Sequence, residues 1–543
     1  MSRFNQPNTR TNAPDTINLA GSEAYSQSAE LELVSILLTS FGSDDFYRSA
    51  SDTFNRLKML IEKCDKEFVA KAAVYARREF GMRSISHVAA AELARHLGGK
   101  VWAKDFYNAI IYRPDDMAEI MSYYYANCAK ATTNTRGKKD IPNAMKMGFA
   151  RAFSKFNAYG FAKYRGEGKE LKLVDVVNVV HPIPSESNGK VTVAREDFFA
   201  ALSDEKKKEY AKKKLAATFE ISSLDALVLN LLKPAETWET MLSQAGQNAE
   251  SAEDKADLKK DAWVKLIREK KIKYLALLRN LRNILEQAPE VIDEACLMLT
   301  DVADIKKSLV FPFQYAMAYE QIEMINSADA RKVLKALNAA VDIACCNVPQ
   351  FEGDTLVVLD DSWSMTQPCN DKTTNSPAKI GALFAAVLAK SNNADFMRFS
   401  DNASYKTLNP EDSTLTLARS IVFKQGGTNF HSIFQCADKK YDRIIIMSDG
   451  QGWVGGNVPT EAFNNYKRAF GANPFIYSFD LKNYGTMQFA ENKVLALAGY
   501  SDRIFDTMEL VEKDPKALVN TIKAYEFKPA VEEAVKPAPK KRK

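Results

Sequence analysis

The sequence predicts two architectures in tandem: an all-α module over residues 15–348 and an α/β domain with a doubly wound parallel sheet over 349–527, followed by a basic tail, 528–543. Three observations predict this. Apolar residues keep helical spacing from Ala29 to Cys346, the period changes at Val348-Pro349 to short β-branched runs alternating with helices, and two of those runs end in acidic tripeptides. A chain of 543 residues is also too long for one hydrophobic core at roughly 100–200 residues per domain.

Residues 15–30, rich in Asn, Thr, Ser and Gly, predict a turn-rich lead-in. Leu31, Val34, Leu37, Leu38 and Phe41 then share one helix face. Helical spacing recurs near 53–63, 66–80, 84–97, 103–111, 114–127, 143–158, 195–218, 222–232, 260–285, 289–299 and 312–346. Gly81, Gly98-Gly99, Pro114, Pro142, Pro182, Pro184, Pro234, Pro289 and Pro312 separate these segments. Strands are not expected in this module, and helices joined by short turns predict HEAT-like stacked pairs without a fixed-period repeat.

In the second half, Thr355–Leu359 is a continuous β-branched and apolar run ending in Asp360-Asp361-Ser362. Ala394–Phe399, Arg443–Met447 and Phe475–Phe479 are further strands, and Arg443–Met447 ends in Ser448-Asp449-Gly450. Helices are expected at Ile380–Lys390, Asp412–Ile421, Phe430–Lys439, Glu461–Phe470 and Met508–Tyr525. Uninterrupted apolar strands alternating with helices imply a parallel sheet covered on both faces. Ligands of such sheets bind at the C-terminal strand ends, where both acidic tripeptides fall.

Composition narrows the function classes. Apolar residues make up 46% of the chain, which excludes a mostly disordered protein. The N-terminal MSRFNQPNTRTNAPDT lacks the apolar core of a secretory signal, and runs such as Leu383–Ala389 are far short of the roughly 20 residues a membrane span needs. Seven irregularly spaced cysteines fit a reducing compartment, so a soluble, cytoplasmic protein is expected, with no membrane partner. The net charge of +5 is unevenly placed. Lys130–Lys172 holds eleven Lys/Arg and three Asp/Glu, and Lys255–Arg282 holds ten and three, which suits a polyanionic partner. The tail Lys540-Lys541-Arg542-Lys543 has the look of a nuclear-localisation run, although short basic tails also raise affinity for RNA.

Asp360-x-Ser362-x-Ser364 presents a carboxylate and two hydroxyls from one loop; Gly426-Gly427-Thr428 offers a further hydroxyl, and Asp449 lies at the same sheet edge. Each alone more often caps a helix or turns a loop. Together they form a set of hard oxygen donors suited to Mg²⁺, Mn²⁺ or Ca²⁺. This set resembles the metal-ion-dependent adhesion site of von Willebrand factor A domains, and the resemblance covers residues 350–527. It implies a divalent metal held by Asp360, Ser362, Ser364, Thr428 and Asp449. The family usually has a small residue where Trp363 stands, so this aromatic is expected to alter or cover the site, and Asp361 to add a carboxylate. No Walker loop, nucleophile elbow or zinc-protease helix is found, so no catalysis is expected.

The helical half carries a second resemblance. Gly81–Arg95, Phe153–Pro184, Tyr274–Glu286 and Pro312–Glu320 resemble the TROVE module of the Ro autoantigen family, whose members join it to a von Willebrand A domain. The resemblance implies a monomeric scaffold of helical repeats closed into a ring. Its outer face binds small noncoding Y RNAs, and its central hole takes single-stranded 3′ ends of misfolded RNA for quality control, with an exoribonuclease as a possible partner. The family's Y RNA contacts fall here on Lys163, Lys169 and His181; Arg165, in the same turn, is added from charge. Two basic clusters, Arg136, Lys138 and Lys139 with Arg279 and Arg282, are expected at the channel. Phe156, Tyr159 and Tyr164 interleave with the cations and can stack on bases, although such aromatics are more often helix core.

Bland readings stand beside these. Lys206–Lys208 and Lys212–Lys214 read as a solvated helix face, His181 before Pro182 as a structural turn, and Arg282 as the partner of Glu286. At the level of the whole chain, an RNA-binding scaffold competes with a metal-dependent protein-interaction module and, more weakly, with a nucleic-acid enzyme using Asp360 and Asp449. A steep fall of binding with salt marks the first, and loss with chelator the second.

Overall fold

The computed structural model describes residues 14–40, 50–128, 141–213, 215–308, 310, 312–345, 348, 350–368, 376–452, 454, 459–482, 486–488, 494–498, 508, 514 and 516–527. In chain order its strands are β1 (Thr16–Ile17), β2 (Glu23–Ser26), β3 (Lys190–Ala194), β4 (Thr218–Ser222), β5 (Thr355–Asp360), β6 (Asp395–Phe399), β7 (Ala403–Tyr405), β8 (Arg443–Ser448), β9 (Phe475–Asp480), β10 (Thr486–Met487) and β11 (Val494–Ala498). The chain divides into two compact units, one formed by residues 1–64, 79–85 and 241–523, the other by 65–78, 86–240 and 524–543.

The first unit is built on a six-stranded sheet in the order β11-β9-β8-β5-β6-β7. All neighbours pair in parallel except β7, which runs antiparallel to β6 at the edge. Every residue of β5 and β8 is buried, as uninterrupted apolar runs covered on both faces require. Helix Pro377–Asn392 covers one face and buries twelve residues; its Ser376 cap accepts from the Lys379 amide, and Pro377 stands where a missing N–H costs nothing. On the other face Phe430, Ile433, Phe434, Phe463 and Tyr466 pack against Leu356, Val358, Ile444 and Ile446.

Helices Pro312–Glu323 and Ala328–Ala344 belong to this unit and pack against the sheet's own helices. Lys379 pairs with Glu320 at 3.0 Å, Arg419 with both oxygens of Glu323, and Ser413 Oγ donates to Asn338 Oδ1 at 2.8 Å. The segment read as one helix over 260–285 is two, Ala252–Arg268 and Tyr274–Gln287, because Lys270 adopts a left-handed conformation between them. Likewise 312–346 breaks before Ser327, which caps the second helix.

Residues 16–26 form strands where only a turn-rich lead-in was expected. β1 pairs with β2, and β2 pairs with β10, each antiparallel. The signal is weak because these strands are two and four residues long, and their partner β10 lies some 460 positions away. Helix Ala29–Thr39 then docks beside β11, with Ser35 Oγ donating to Asp480 Oδ2 at 2.9 Å.

The second unit is mainly helical. Its helices include Lys66–Arg78, Ser84–Leu93, Ala103–Ile110, Pro114–Tyr123, Asn143–Ala152 and Leu173–Val180. One hairpin interrupts them: β3 and β4 pair antiparallel, with the short helices Arg195–Ala201 and Asp204–Tyr210 between. This replaces the single helix expected over 195–218. Val191, Val193, Phe219 and Ile221 pack around Phe198 and Leu202, so tertiary burial of β-branched side chains decides the conformation. The chain's end returns here, with Phe527 stacked on Trp102 at 5.7 Å and Tyr525 edge-on to Tyr75 at 5.6 Å. Among the described residues no helix is long and apolar enough to cross a membrane.

Helices Ala103–Ile110 and Asn143–Ala152 approach so closely that only glycine fits at 148. A Cβ there would stand 2.4 Å from Tyr107 Cβ and 2.7 Å from the Lys104 carbonyl. Gly148→Ala is expected to cost about 1–3 kcal/mol, the usual range for overpacking. It should lower the thermal midpoint, and an unchanged melting curve would show that the helices can separate freely.

Candidate functional site

The sheet register brings the acidic loops together. β5 ends at Asp360 and β8 at Ser448, on neighbouring strands. Ser448 Oγ donates to Asp360 Oδ2 at 2.5 Å, the Ser362 amide to Asp360 Oδ1 at 2.9 Å, and Ser364 Oγ to Asp449 Oδ2 at 2.7 Å. The Ser362 and Ser364 hydroxyls are 3.4 Å apart. Loop 424–428 is laced to loop 361–363, since the Gln425 amide donates to the Asp361 carbonyl and the Trp363 amide to the Gly426 carbonyl, both at 3.0 Å. This carries Thr428, which is buried, to the same strand ends.

Asp360 and Asp449 are fully buried, and neither forms an ion pair among the described residues. Burial raises the pKa of both carboxyls; the charge of Asp449 adds to the rise at Asp360, whereas the Ser364 hydroxyl and Lys482 oppose it at Asp449. A charge-deficient pair of carboxylates among three hydroxyls fits a hard divalent cation by its donor chemistry.

Two residues depart from the adhesion-site pattern. Trp363 is 49% exposed, so its ring stands at the surface instead of filling the space between the carboxylates. Asp361 turns away: its Oδ2 accepts from the Lys424 amide at 3.1 Å and lies 3.8 Å from Arg398. Sequence reasoning did not find Gln451, whose amide donates to Asp449 Oδ1 at 3.1 Å. Nor did it find the N-terminal segment above it, where the Leu19 amide donates to Gln451 Oε1 at 2.7 Å and Asn18 Nδ2 to the Gly452 carbonyl at 2.6 Å.

The cationic residues lie elsewhere. Lys163 ends helix Ala158–Lys163, its Nζ 6.0 Å from the Tyr159 ring and 5.6 Å from the Tyr164 ring. Arg113 sits over the other partner, 4.5 Å from the Tyr164 centroid. Tyr159 is 42% exposed and so is available for stacking, whereas Phe161 of the same helix is core. Lys169 is exposed and reaches Glu119 at 3.4 Å. Glu119 Oε2 in turn lies 3.1 Å from His87 Nδ1, and His87 Nε2 lies 3.3 Å from Asp116, the buried partner of Arg77. His181 is exposed and caps helix Leu173–Val180 in the left-handed region at φ 49°, a conformation uncommon outside glycine.

Two cations of the basic stretch are engaged by the fold itself. Arg165 is only 16% exposed, and its guanidinium donates to Glu167, Asn230 and the Leu232 carbonyl at 2.9, 3.1 and 3.2 Å, so it ties two segments together. Lys155, counted in the same basic stretch, is half-buried and donates to the Asn108 and Ile111 carbonyls; desolvation, with the Arg78 charge, pulls its pKa down to about 7. Of the second cluster, Arg282 pairs with Glu286 at 2.8 Å, while Arg279 is exposed. Arg136, Lys138 and Lys139 lie outside the described residues. In helix Asp204–Tyr210 and its flank, Lys207 pairs with Asp204 at 3.8 Å and Lys213 with Glu209 at 3.5 Å.

A model of the TROVE domain matches residues 43–233 and 210–360, more than half of the 543-residue chain. Telomerase protein component 1 of Rattus norvegicus is 21% identical over 359 residues, covering 55% of this chain and 13% of that protein. Telomerase protein component 1 of Mus musculus is 21% identical over 356 residues with the same coverage. The chain therefore matches only 13% of the length of these relatives. The crystal structure of the Deinococcus radiodurans Ro (RSR) protein superposes with a TM-score of 0.52 at 15% identity, covering 92% of this chain and 100% of that one. The shared fold is a helical-repeat module joined to a doubly wound sheet of the von Willebrand A kind. With the family model spanning more than half its length, the chain belongs to the TROVE domain family of Ro-like proteins.

Proposed function

We propose that the protein is a noncatalytic RNA-binding scaffold of a ribonucleoprotein. In this reading it holds a small noncoding, Y-like RNA on the surface formed by Lys163, Lys169 and His181. It also takes single-stranded 3′ ends of misfolded RNA, with Arg279 among the cations available, and can present them to an exoribonuclease in the cytoplasm. The observation that carries the reading is the grouping of Lys163 with exposed Tyr159 and with Tyr164, in a chain of this family. Cations on phosphates supply affinity independent of sequence, and an accessible aromatic ring supplies a stacking face. Arg165 has a structural part in this scheme, holding the loop after Lys163 to residues 230–232.

RNA that copurifies with the full-length protein from its own cells is the natural probe. Lys163→Ala/Lys169→Ala/His181→Ala should weaken its binding by about tenfold or more at physiological salt, and flatten the salt dependence, with a wild-type melting curve. Unchanged affinity would contradict the assignment.

We further propose that Asp360, Ser362, Ser364, Thr428 and Asp449 hold one divalent cation, Mg²⁺, Mn²⁺ or Ca²⁺. The raised carboxyl pKa values give this a pH signature. Between the ordinary carboxylate range near pH 4 and neutrality, the folded metal-free protein binds more protons at these sites than the unfolded chain, so their contribution to stability falls as pH rises. A cation replaces those protons. The rise in melting temperature on adding Mn²⁺ should therefore grow from pH 5 to pH 7.5 and vanish in Asp360→Ala. A rise independent of pH, or one retained in the variant, would place the cation elsewhere.

A further inference from the structure

The second unit contains a groove of about 340 Å³ that neither of these sites uses. Helix Ala103–Ile110, the loop before it and the first turn of helix Asn143–Ala152 enclose it. Its apolar lining comes from Ala94, Leu97 and Tyr107, all buried, and from Met147, which is 42% exposed. Its rim carries two cations, Lys100 and Lys104. No carboxylate lines it, and Asp105, next to Lys104 in sequence, is turned to Arg151 at 2.8 Å. Lys100 and Lys104 form no ion pair among the described residues.

The rim is open for a local reason. Gly98 and Gly99 border the groove, and a Cβ at either position would meet no atom within 4 Å. Gly99 has a φ of +74°, which disfavours any side chain that would overhang the opening. Across from this loop, Pro142 precedes helix Asn143–Ala152 without a side-chain cap, so the first-turn N–H groups add partial positive charge to that of the lysines.

An apolar recess beneath two uncompensated cations is complementary to a flat apolar ring attached to a phosphate. Its volume lies at the low end of small-ligand sites, too small for a duplex. Unpaired bases, by contrast, can be splayed out of a strand into such recesses. We propose that this groove seats one unpaired nucleotide of a bound RNA, its base against Leu97 and Met147 and its phosphate between Lys100 and Lys104. This rests on the RNA-binding reading above and adds a single-strand site to it.

The test uses the full-length protein and two fluorescein-labelled RNA hairpins of one sequence, one blunt and one with a single-stranded uridine extension, titrated by anisotropy across a salt series. Wild type should bind the extended hairpin more tightly, by about fivefold or more, since stacking one base is worth roughly 1–3 kcal/mol. Lys100→Glu/Lys104→Glu should erase that preference and reduce the salt slope for the extended RNA by about 0.7, from one phosphate contact on a single strand. Ala144→Phe, which fills the groove without changing charge, should erase the preference and leave the slope within error of wild type. Blunt-hairpin binding should persist in both variants. If both variants keep the wild-type preference, or if wild type has none, the groove proposal is overturned while RNA binding stands; retained preference would leave the groove to an acidic protein partner. If wild type binds neither hairpin, the RNA reading fails and takes the groove with it.

Discussion

Two carboxylates buried at neighbouring strand ends are the constraint around which the sheet-bearing unit is arranged. Asp360 and Asp449 lie at the ends of the two innermost buried strands, where desolvation penalises any uncompensated charge. The surrounding chain answers with dipoles. Ser364, Ser448 and the amides of Ser362 and Gln451 all donate to them. The N-terminal segment completes this arrangement, because Leu19 fixes the Gln451 side chain and Asn18 the Gly452 carbonyl. Residues at the start of the chain thus stabilise a loop more than 400 positions later. A cation at these oxygens would relieve the remaining charge, which is why the donor set and the strained protonation of the pair belong to one physical account.

The helical unit solves a related problem with a different result. Arg77 is buried against Asp116, and His87 and Glu119 extend the polar chain outward to Lys169 at the surface. A surface lysine is thereby held in place by groups reaching into the core. Lys163 has a softer setting, between two tyrosine rings. Lys169 thus pairs with a carboxylate and Lys163 packs on aromatic rings, whereas Arg165 and Lys155 donate to backbone carbonyls and side chains of the fold itself. A basic stretch in sequence is therefore a poor guide to a basic surface.

What was legible in the sequence was whatever short-range pattern determines. The runs Thr355–Leu359 and Arg443–Met447 can be read as buried strands because every side chain is apolar or β-branched, and Asp-x-Ser-x-Ser follows directly. Helices at Pro377–Asn392 and Thr414–Arg419 fall where helical spacing placed them, within a few residues of each end. The misses share a cause in contacts between distant residues. β1 and β2 exist because β10 offers an edge, and β3 and β4 because Phe198 and Leu202 give their apolar side chains a core. The placement of Trp363 and Asp361 likewise depends on distant partners: backbone bonds from Trp363 to Gly426 and from Gln425 to Asp361 fix the loop, with Trp363 half-exposed and Asp361 beside Arg398.

RNA binding on the face carrying residues 158–181 is a proposal open to direct test. The most direct measurement is ultraviolet crosslinking of the protein to its copurifying RNA, followed by mass spectrometry of the nucleotide-bearing peptides. Crosslinks are expected at Tyr159 or Tyr164 and at peptides containing Lys169 and His181. Crosslinks confined to the lysine-rich segment 204–213, with none at 158–181, would contradict it.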